Sequence, residues 1–281
     1  MSTLKNKIDF VALVSVNMAN SNGDPLNGNR PRTDYDGFGE ISDVCIKRKL
    51  RNRMQDKGEK IFVQSDDRCD DGFESLAPRA NSVLKGIKGK KEFAEKACST
   101  WTDVRSFGQV FAFSGLDIKS VGVRGPVSVH QAVSVSPVDI ESMQITKSVS
   151  GEKKDGKEKG SDTMGTKHFV RFGLYKIKGS VNVQLAEKTG FSEDDAVLLK
   201  ECLRTLFVND SSSARPDGSM EVFKLYWWQH SCKEGQYSSA KVHKSVRVEL
   251  KDGVIVPTSV DDYNCYVDEL DGLKPEIIDG I

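Results

Sequence analysis

The sequence predicts an α+β fold. Its centre is a β-α-β-β-α-β, ferredoxin-like unit, an antiparallel sheet with helices on one face, lengthened by insertions. Three observations carry this. A β-branched apolar run at residues 8–18 is followed by an amphipathic helix pattern at 43–56. Two strand-like stretches, 121–136 and 168–185, flank a segment without apolar periodicity. A second amphipathic pattern at 193–208 leads into an apolar strand at 220–230. The 281 residues, 37% hydrophobic and 29% charged, suffice for one sizeable core.

Residues 8–18, Ile-Asp-Phe-Val-Ala-Leu-Val-Ser-Val-Asn-Met, read as a buried central strand, because nearly every position is apolar. Residues 19–40 are dominated by Gly, Asn, Asp and Pro and read as a long loop of consecutive turns. Ser42 caps the helix at 43–56, whose stripe is Ile46, Leu50 and Met54. Residues 57–100 are turn-rich, with acids first (Asp66, Asp67, Asp70, Asp71) and bases after (Lys85, Lys88, Lys90, Lys91), and read as an insertion. A short helix is expected over 102–113 and a half-exposed strand over 121–136.

Residues 148–167 read as a mobile, net-basic hairpin tip. A strand follows at 168–185, broken at Gly179. Ser192 and Asp195 form a capping-box pattern that opens the helix at 193–208. Strands are expected at 220–230 and 241–250, with an acidic tail over 261–281. In the first of these, Tyr226 and Trp228 share one face and Phe223 and Trp227 the other, a pattern of core packing rather than base stacking. The whole is read as a single domain over 1–281.

Lys plus Arg and Asp plus Glu both number 41, which excludes a uniformly basic polyanion-coating protein. A run of some 18 apolar residues is lacking, so no membrane helix is expected. The six cysteines stand apart, without a C-x-x-C pair, and read as reduced thiols of a cytoplasmic protein. The four histidines, His130, His168, His230 and His243, form no metal motif and read as structural or surface residues. No cofactor or metal is expected.

Two constellations are suited to a phosphate backbone. The loop Asn20-Ser21-Asn22-Gly23-Asp24-Pro25 through Asn27-Gly28-Asn29-Arg30-Pro31-Arg32 offers backbone N–H groups, amides and two guanidinium groups. It equally suits a plain series of turns. The helix after it carries Lys47, Arg48, Lys49, Arg51 and Arg53; between residues 44 and 57 six bases face one acid, Asp56. With no acid interleaved at i+4, these charges read as unneutralised, and with Arg30 and Arg32 as one positive groove. Asp24 and Asp103 are either turn and helix caps or carboxylates for a metal at a scissile phosphate.

The N-terminal string, together with Ile46-Lys47-Arg48-Lys49-Leu50-Arg51, Asp103-Val104-Arg105-Ser106-Phe107-Gly108 and Gly125-Pro126-Val127, resembles the backbone subunit of the type I-C CRISPR Cascade complex, in the RAMP superfamily. The resemblance implies an RRM-like palm with finger and thumb elements, the finger inserted at about 57–100 and the thumb a hairpin at about 137–167. It implies a non-catalytic scaffold whose copies polymerise along crRNA, with other Cascade subunits, and present the guide to target DNA in antiviral defense. RNA contacts are implied at Asn20, Ser21, Asn22, Arg30, Arg32, Lys47, Arg48 and Arg51. Others are implied at Arg105, Ser106, Phe107, Gly108 and Gln109, with Met143 as a wedge at a kink. The competing reading is a metal-dependent endoribonuclease of the same superfamily, using Asp24 or Asp103.

Overall fold

A computed structural model describes residues 2–146 and 164–281. In chain order, β1 (Ile8–Ala19) leads into a small hairpin of β2 (Gly23–Asp24) and β3 (Arg30–Pro31), then β4 (Phe38–Ile41) and α1 (Asp43–Asp56). Next come α2 (Leu76–Leu84), α3 (Lys90–Thr100), α4 (Thr102–Phe107), β5 (Gly108–Phe111), β6 (Val121–Arg124), β7 (Val127–Val129) and β8 (Ala132–Pro137). β9 (Ile140–Thr146) and β10 (Met164–Val181) form a long ribbon. α5 (Val183–Thr189), α6 (Glu193–Arg204), β11 (Met220–Gln229), α7 (Ser239–Ser245), β12 (Val246–Leu250), β13 (Tyr263–Val267) and β14 (Glu276–Asp279) complete the chain.

The large sheet runs β14-β11-β1-β10-β8-β4 and is antiparallel throughout, with β7 and β9 also paired to β10. Its four middle strands lie in the order fourth, first, third, second of the β-α-β-β-α-β series. That is the arrangement expected when two βαβ crossovers interleave. β10 does not break at Gly179. It continues to Val181 because Gly179 sits opposite Phe10, where a Cβ would come within 2.2 Å of the ring. The missing side chain makes room for the aromatic ring and does not end the strand.

β1 is buried on both sides. Phe10, Ala12, Val14 and Val16 pack with Ile46, Leu50 and Met54 of α1 and with Leu199 and Leu203 of α6. Val11 and Leu13 face the other way, against Val242 of α7, Val246 of β12 and Tyr263 of β13. The expectation of helices on one face therefore needs correction. The second face is covered as well, by α7 and the β12–β13 hairpin, because Val11, Leu13, Leu174, Tyr226 and Trp228 would otherwise lie bare. Each such side chain contributes about 1.5–3 kcal/mol on full burial.

Other boundaries moved for local reasons. The 19–40 loop contains β4, which extends the sheet beside β8. The segment 57–100 holds two helices, α2 and α3. They close a third core of Phe62, Phe93, Trp101, Phe111 and Val121, which draws in residues beyond 100. The helix expected over 102–113 stops at Phe107, since Gly108 takes a left-handed φ of 79°. The stretch 121–136 is three strands, interrupted at Gly125-Pro126 and at His130-Gln131. Residues 241–250 divide into the end of α7, capped by Ser238, and β12.

Phe223 sides with Tyr226 and Trp228, not with Trp227. A bulge at Leu13/Val14 leaves Phe223 out of register and flips the alternation below it. The acidic tail is part of the fold. β14 lines the sheet edge, with Asp279 2.8 Å from Lys224 and Glu276 2.7 Å from Lys200. The expected hairpin tip falls on residues outside those described, except 164–167, which begin β10. Among the described residues no helix is long and apolar enough to cross a membrane.

Candidate nucleic-acid interface

The loop after β1 is a tied structure. Asn20 Nδ2 donates to the Asn29 carbonyl at 2.7 Å, and Asn29 N–H donates back to the Asp24 carbonyl at 2.8 Å. Gly28 and Asn29 both take positive φ, 57° and 60°, as the tight reversal requires. Gly23 lies so close to Asn29 that a Cβ would meet its Oδ1 at 2.0 Å. Asn22 anchors the loop to the helix: its Oδ1 accepts from Ser42 N–H at 2.9 Å, and Ser42 Oγ caps α1 through Cys45 N–H at 3.2 Å. Asp24 accepts from Leu26 N–H at 3.2 Å and lies 3.3 Å from Arg32, so it serves as a turn cap with an ion pair.

Arg30 points away from the loop. Its Nη1 donates to Ser142 Oγ on β9 at 2.9 Å, and Ser142 Oγ lies 2.8 Å from His168 Nδ1 on β10. This contact brings the loop beside the β9–β10 ribbon. Next to Ser142 on that ribbon stands Met143, 53% exposed, with Ile145 and Met164 also exposed. Ser142 and His168 carried no motif in the sequence; only the strand pairing of Ser142 with His168 brings them to the loop.

The cations of α1 are not a row of unpaired charges. Lys47 pairs with Asp43 at 3.0 Å, one turn back on the same helix. Arg48 donates to the Val63 carbonyl at 2.6 Å. Lys49 is buried against Asp210, with its ammonium 5.3 Å from the Phe207 ring centre. Burial pushes Lys49 below the usual lysine range, and Asp210 partly restores it. Arg51 Nε donates to Asp103 Oδ2 at 2.9 Å and its guanidinium lies over Phe107 at 5.1 Å. Arg53 pairs with Asp56 at 2.7 Å. The reading of an unneutralised helix is thereby corrected: Asp43 was in reach at i−4, while Asp103 and Asp210 arrive from distant segments.

The segment 105–109 is built inward. Arg105 makes a two-pronged pair with Asp195, at 2.9 and 2.7 Å, and donates to the Cys98 carbonyl at 2.8 Å. Burial lowers its pKa, and the bonds to Asp195 outweigh that and raise it. Ser106 is fully buried, and its Oγ has no partner among the described residues. Gly108 and Gly125 cross backbone to backbone: a Cβ on Gly108 would lie 2.3 Å from the Val123 carbonyl oxygen, and one on Gly125 2.3 Å from that of Ser106. Gln109 Nε2 donates to the Val110 carbonyl at 3.0 Å.

The implied contact residues therefore separate. Arg30, Arg32, Lys47, Arg48, Gln109 and Met143 retain surface, whereas Asn20, Ser21 and Ser106 are buried, and Asn22, Arg51, Arg105, Phe107 and Gly108 are occupied in holding segments together. Asp103 is one such tie. Its Oδ1 accepts from Phe62 N–H at 2.7 Å and its Oδ2 from Val63 N–H at 3.1 Å, besides Arg51. Among the described residues no three His, Cys, Asp or Glu side chains come together as a metal site. His230 and His243 are buried beside Asp9, at 2.8 and 3.7 Å, in a structural network beneath the sheet. Tyr226 and Trp228 lie in the core, as their spacing predicts.

Residues 6–268 match the profile of the family described as CRISPR-associated protein Cas7. A Cas7 protein of Haloferax volcanii is 29% identical over 230 residues, covering 73% of this chain. The match spans 65% of that relative's length. Among solved structures, a chain of a CRISPR RNA-guided surveillance complex in a pre-nicking state superposes with a TM-score of 0.52. The superposition takes in 84% of this chain and 81% of the other, at 17% identity, which marks a shared fold. A match running through nearly the whole described fold settles the family: the chain belongs to the Cas7 family of CRISPR-associated proteins.

Proposed function

We propose that the chain is a non-catalytic crRNA-binding scaffold. Its copies assemble into the helical backbone of a type I-C surveillance complex, which acts in the cytoplasm in antiviral defense with the other Cascade subunits. The sheet with α1 and α6 acts as an RRM-like palm within one domain over 1–281. The inserted region at about 57–100 acts as finger and the hairpin at about 137–167 as thumb. The guide is held by its backbone, so any sequence is accepted and remains free to pair with target DNA.

The observation that carries this reading is the Arg30–Ser142 contact. It sets a guanidinium-bearing loop beside the β9–β10 ribbon, on which Met143, next to Ser142 and so on the other side of the pleat, is exposed. Arg30, Arg32, Lys47, Arg48, Gln109 and Met143 touch RNA. Asn20, Ser21, Asn22, Arg51, Arg105, Ser106, Phe107 and Gly108 fix the surfaces that do.

The test is size-exclusion chromatography at 260 and 280 nm on purified protein, with and without a crRNA-sized RNA. A large species with a nucleic-acid spectrum that collapses on RNase treatment is expected. A monomer indifferent to RNA at low salt would overturn the scaffold reading.

A further inference from the structure

The sheet carries a second basic surface, on the face opposite α1. The strand register fixes which side chains reach it. Leu174, Lys176 and Lys178 alternate on β10, opposite Ser15, Leu13 and Val11. They therefore point to the face that α7 and the β12–β13 hairpin cover. Leu174 is fully buried under that cover, whereas Lys176 and Lys178 line a cleft of about 500 Å³. Lys244 of α7 and Arg247 of β12 form its other wall, with His130 at one side.

Charge pairing here differs from that on α1. There, Lys47, Lys49, Arg51 and Arg53 each face a carboxylate. In the cleft the one carboxylate in the lining is Glu249, 3.5 Å from Arg247, which also holds Asp268 at 3.0 Å. Lys176, Lys178 and Lys244 make no ion pair among the described residues. Lys176 Nζ donates one bond, to the Val246 carbonyl at 2.7 Å, leaving donors unused. Burial, then the neighbouring charge of Lys178, pushes Lys176 below the usual lysine range. In a chain of zero net charge, such a self-repelling group is relieved by an anion.

We infer that this cleft binds the phosphodiester backbone of a nucleic-acid strand, as a second site separate from the loop and α1. The cleft is open and far larger than one phosphate, and its lysines stand on both walls, which suits a chain of phosphates. Its lining is cationic and aliphatic, with His130, His243 and Glu249 but no Asn or Gln to read base edges, so the contacts go to phosphates and binding is indifferent to sequence. The strand is RNA or DNA; both present the same charges. The inference goes beyond the proposed function and does not depend on it, since different residues on another face are involved.

The test measures fluorescence anisotropy of labelled, mixed-sequence 20-nucleotide RNA and single-stranded DNA on full-length protein freed of nucleic acid, across a salt series. The Lys178→Ala/Lys244→Ala variant loses two phosphate contacts. Its slope of log K against log salt should fall by about 1.4, with about 25-fold weaker binding at 0.1 M salt. The Lys178→Arg/Lys244→Arg variant keeps the charge and should bind as wild type. Arg30→Ala/Arg32→Ala, which probes the loop, should leave the contribution of the cleft intact. A deficit with RNA alone assigns the cleft to the guide, and one with DNA alone to a target strand. Unchanged slope and affinity for both strands, or an equal loss in the arginine variant, would overturn the inference.

Discussion

Asp103→Ala isolates the tie between α1, the 61–63 segment and α4. The carboxylate accepts from two backbone N–H groups, at 2.7 and 3.1 Å, and holds Arg51 at 2.9 Å while only 1% exposed. Its removal leaves two sheltered donors without partners, about 1–3 kcal/mol each where water cannot reach them. It also strands a largely buried guanidinium, in a class of change that costs about 3–5 kcal/mol. These overlap, because water admitted to the gap serves all three, so a net loss of about 4 kcal/mol is expected. At about 2.1 cal/mol/K per residue, a chain of this length loses about 0.6 kcal/mol per degree, giving a fall in Tm of about 7 °C. Arg51→Ala leaves Asp103 with its two N–H donors and should cost about half as much. Differential scanning fluorimetry of the two variants reads the difference directly. A Tm for Asp103→Ala within 1 °C of wild type, or a larger loss for Arg51→Ala, would show that Asp103 does not hold these three segments together.

Gly108→Ala combines a left-handed φ of 79° with a Cβ 2.3 Å from the Val123 carbonyl, and should cost about 3 kcal/mol. Gly28→Ala, at φ 57° with open space around it, should cost about 1 kcal/mol; equal melting shifts for the two would contradict the close-approach account. Asp71 is held below the usual carboxylate range chiefly by the Arg79 side chain bonded to it, against the opposing effect of burial. A depressed folded pKa means stability present above about pH 4 and lost as pH falls through the folded value. Asp71→Asn should therefore lower Tm at pH 7 and flatten the loss of stability below pH 4, a flattening that melting curves from pH 7 to 3 would show or deny.

The parts legible in the sequence are those whose cause is local. Ser42 capping α1, the Ser192/Asp195 box opening α6 and the largely apolar run of β1 all signal within a few residues. What escaped reading depends on distant partners. β4 is four residues of weak pattern and becomes a strand because β8 offers it an edge. α7 and β12 share one apolar series, Val242, Val246 and Val248, which serves helix or strand until a surface is there to cover. The bulge that turns Phe223 inward is set by its pairing with β1. At the candidate interface the cations stand out in the sequence but their pairing does not, since Asp103, Asp195 and Asp210 lie far along the chain from the cations they meet.

That pairing sorts the cations by what a phosphate could take from them. Lys47–Asp43 and Arg32–Asp24 are partly solvated, with side chains 26–42% and 27–38% exposed. Pairs of this kind are worth about 0–1 kcal/mol, so a passing phosphate can replace the carboxylate at little cost. Arg51 and Arg105 are different. Detaching either leaves Asp103 or Asp195 charged and buried with only its remaining donors, at about 2 kcal/mol, the cost expected of Arg51→Ala and more than exchange of a solvated pair. On the proposed function, a strand laid across this face would be gripped through Lys47 and the loop arginines, while Arg51 and Arg105 would stay with their carboxylates and keep the surface in shape. Neutrality of the whole chain is compatible with binding a polyanion on these terms: the acids near the surface act as exchangeable partners, and the buried ones are not available for exchange.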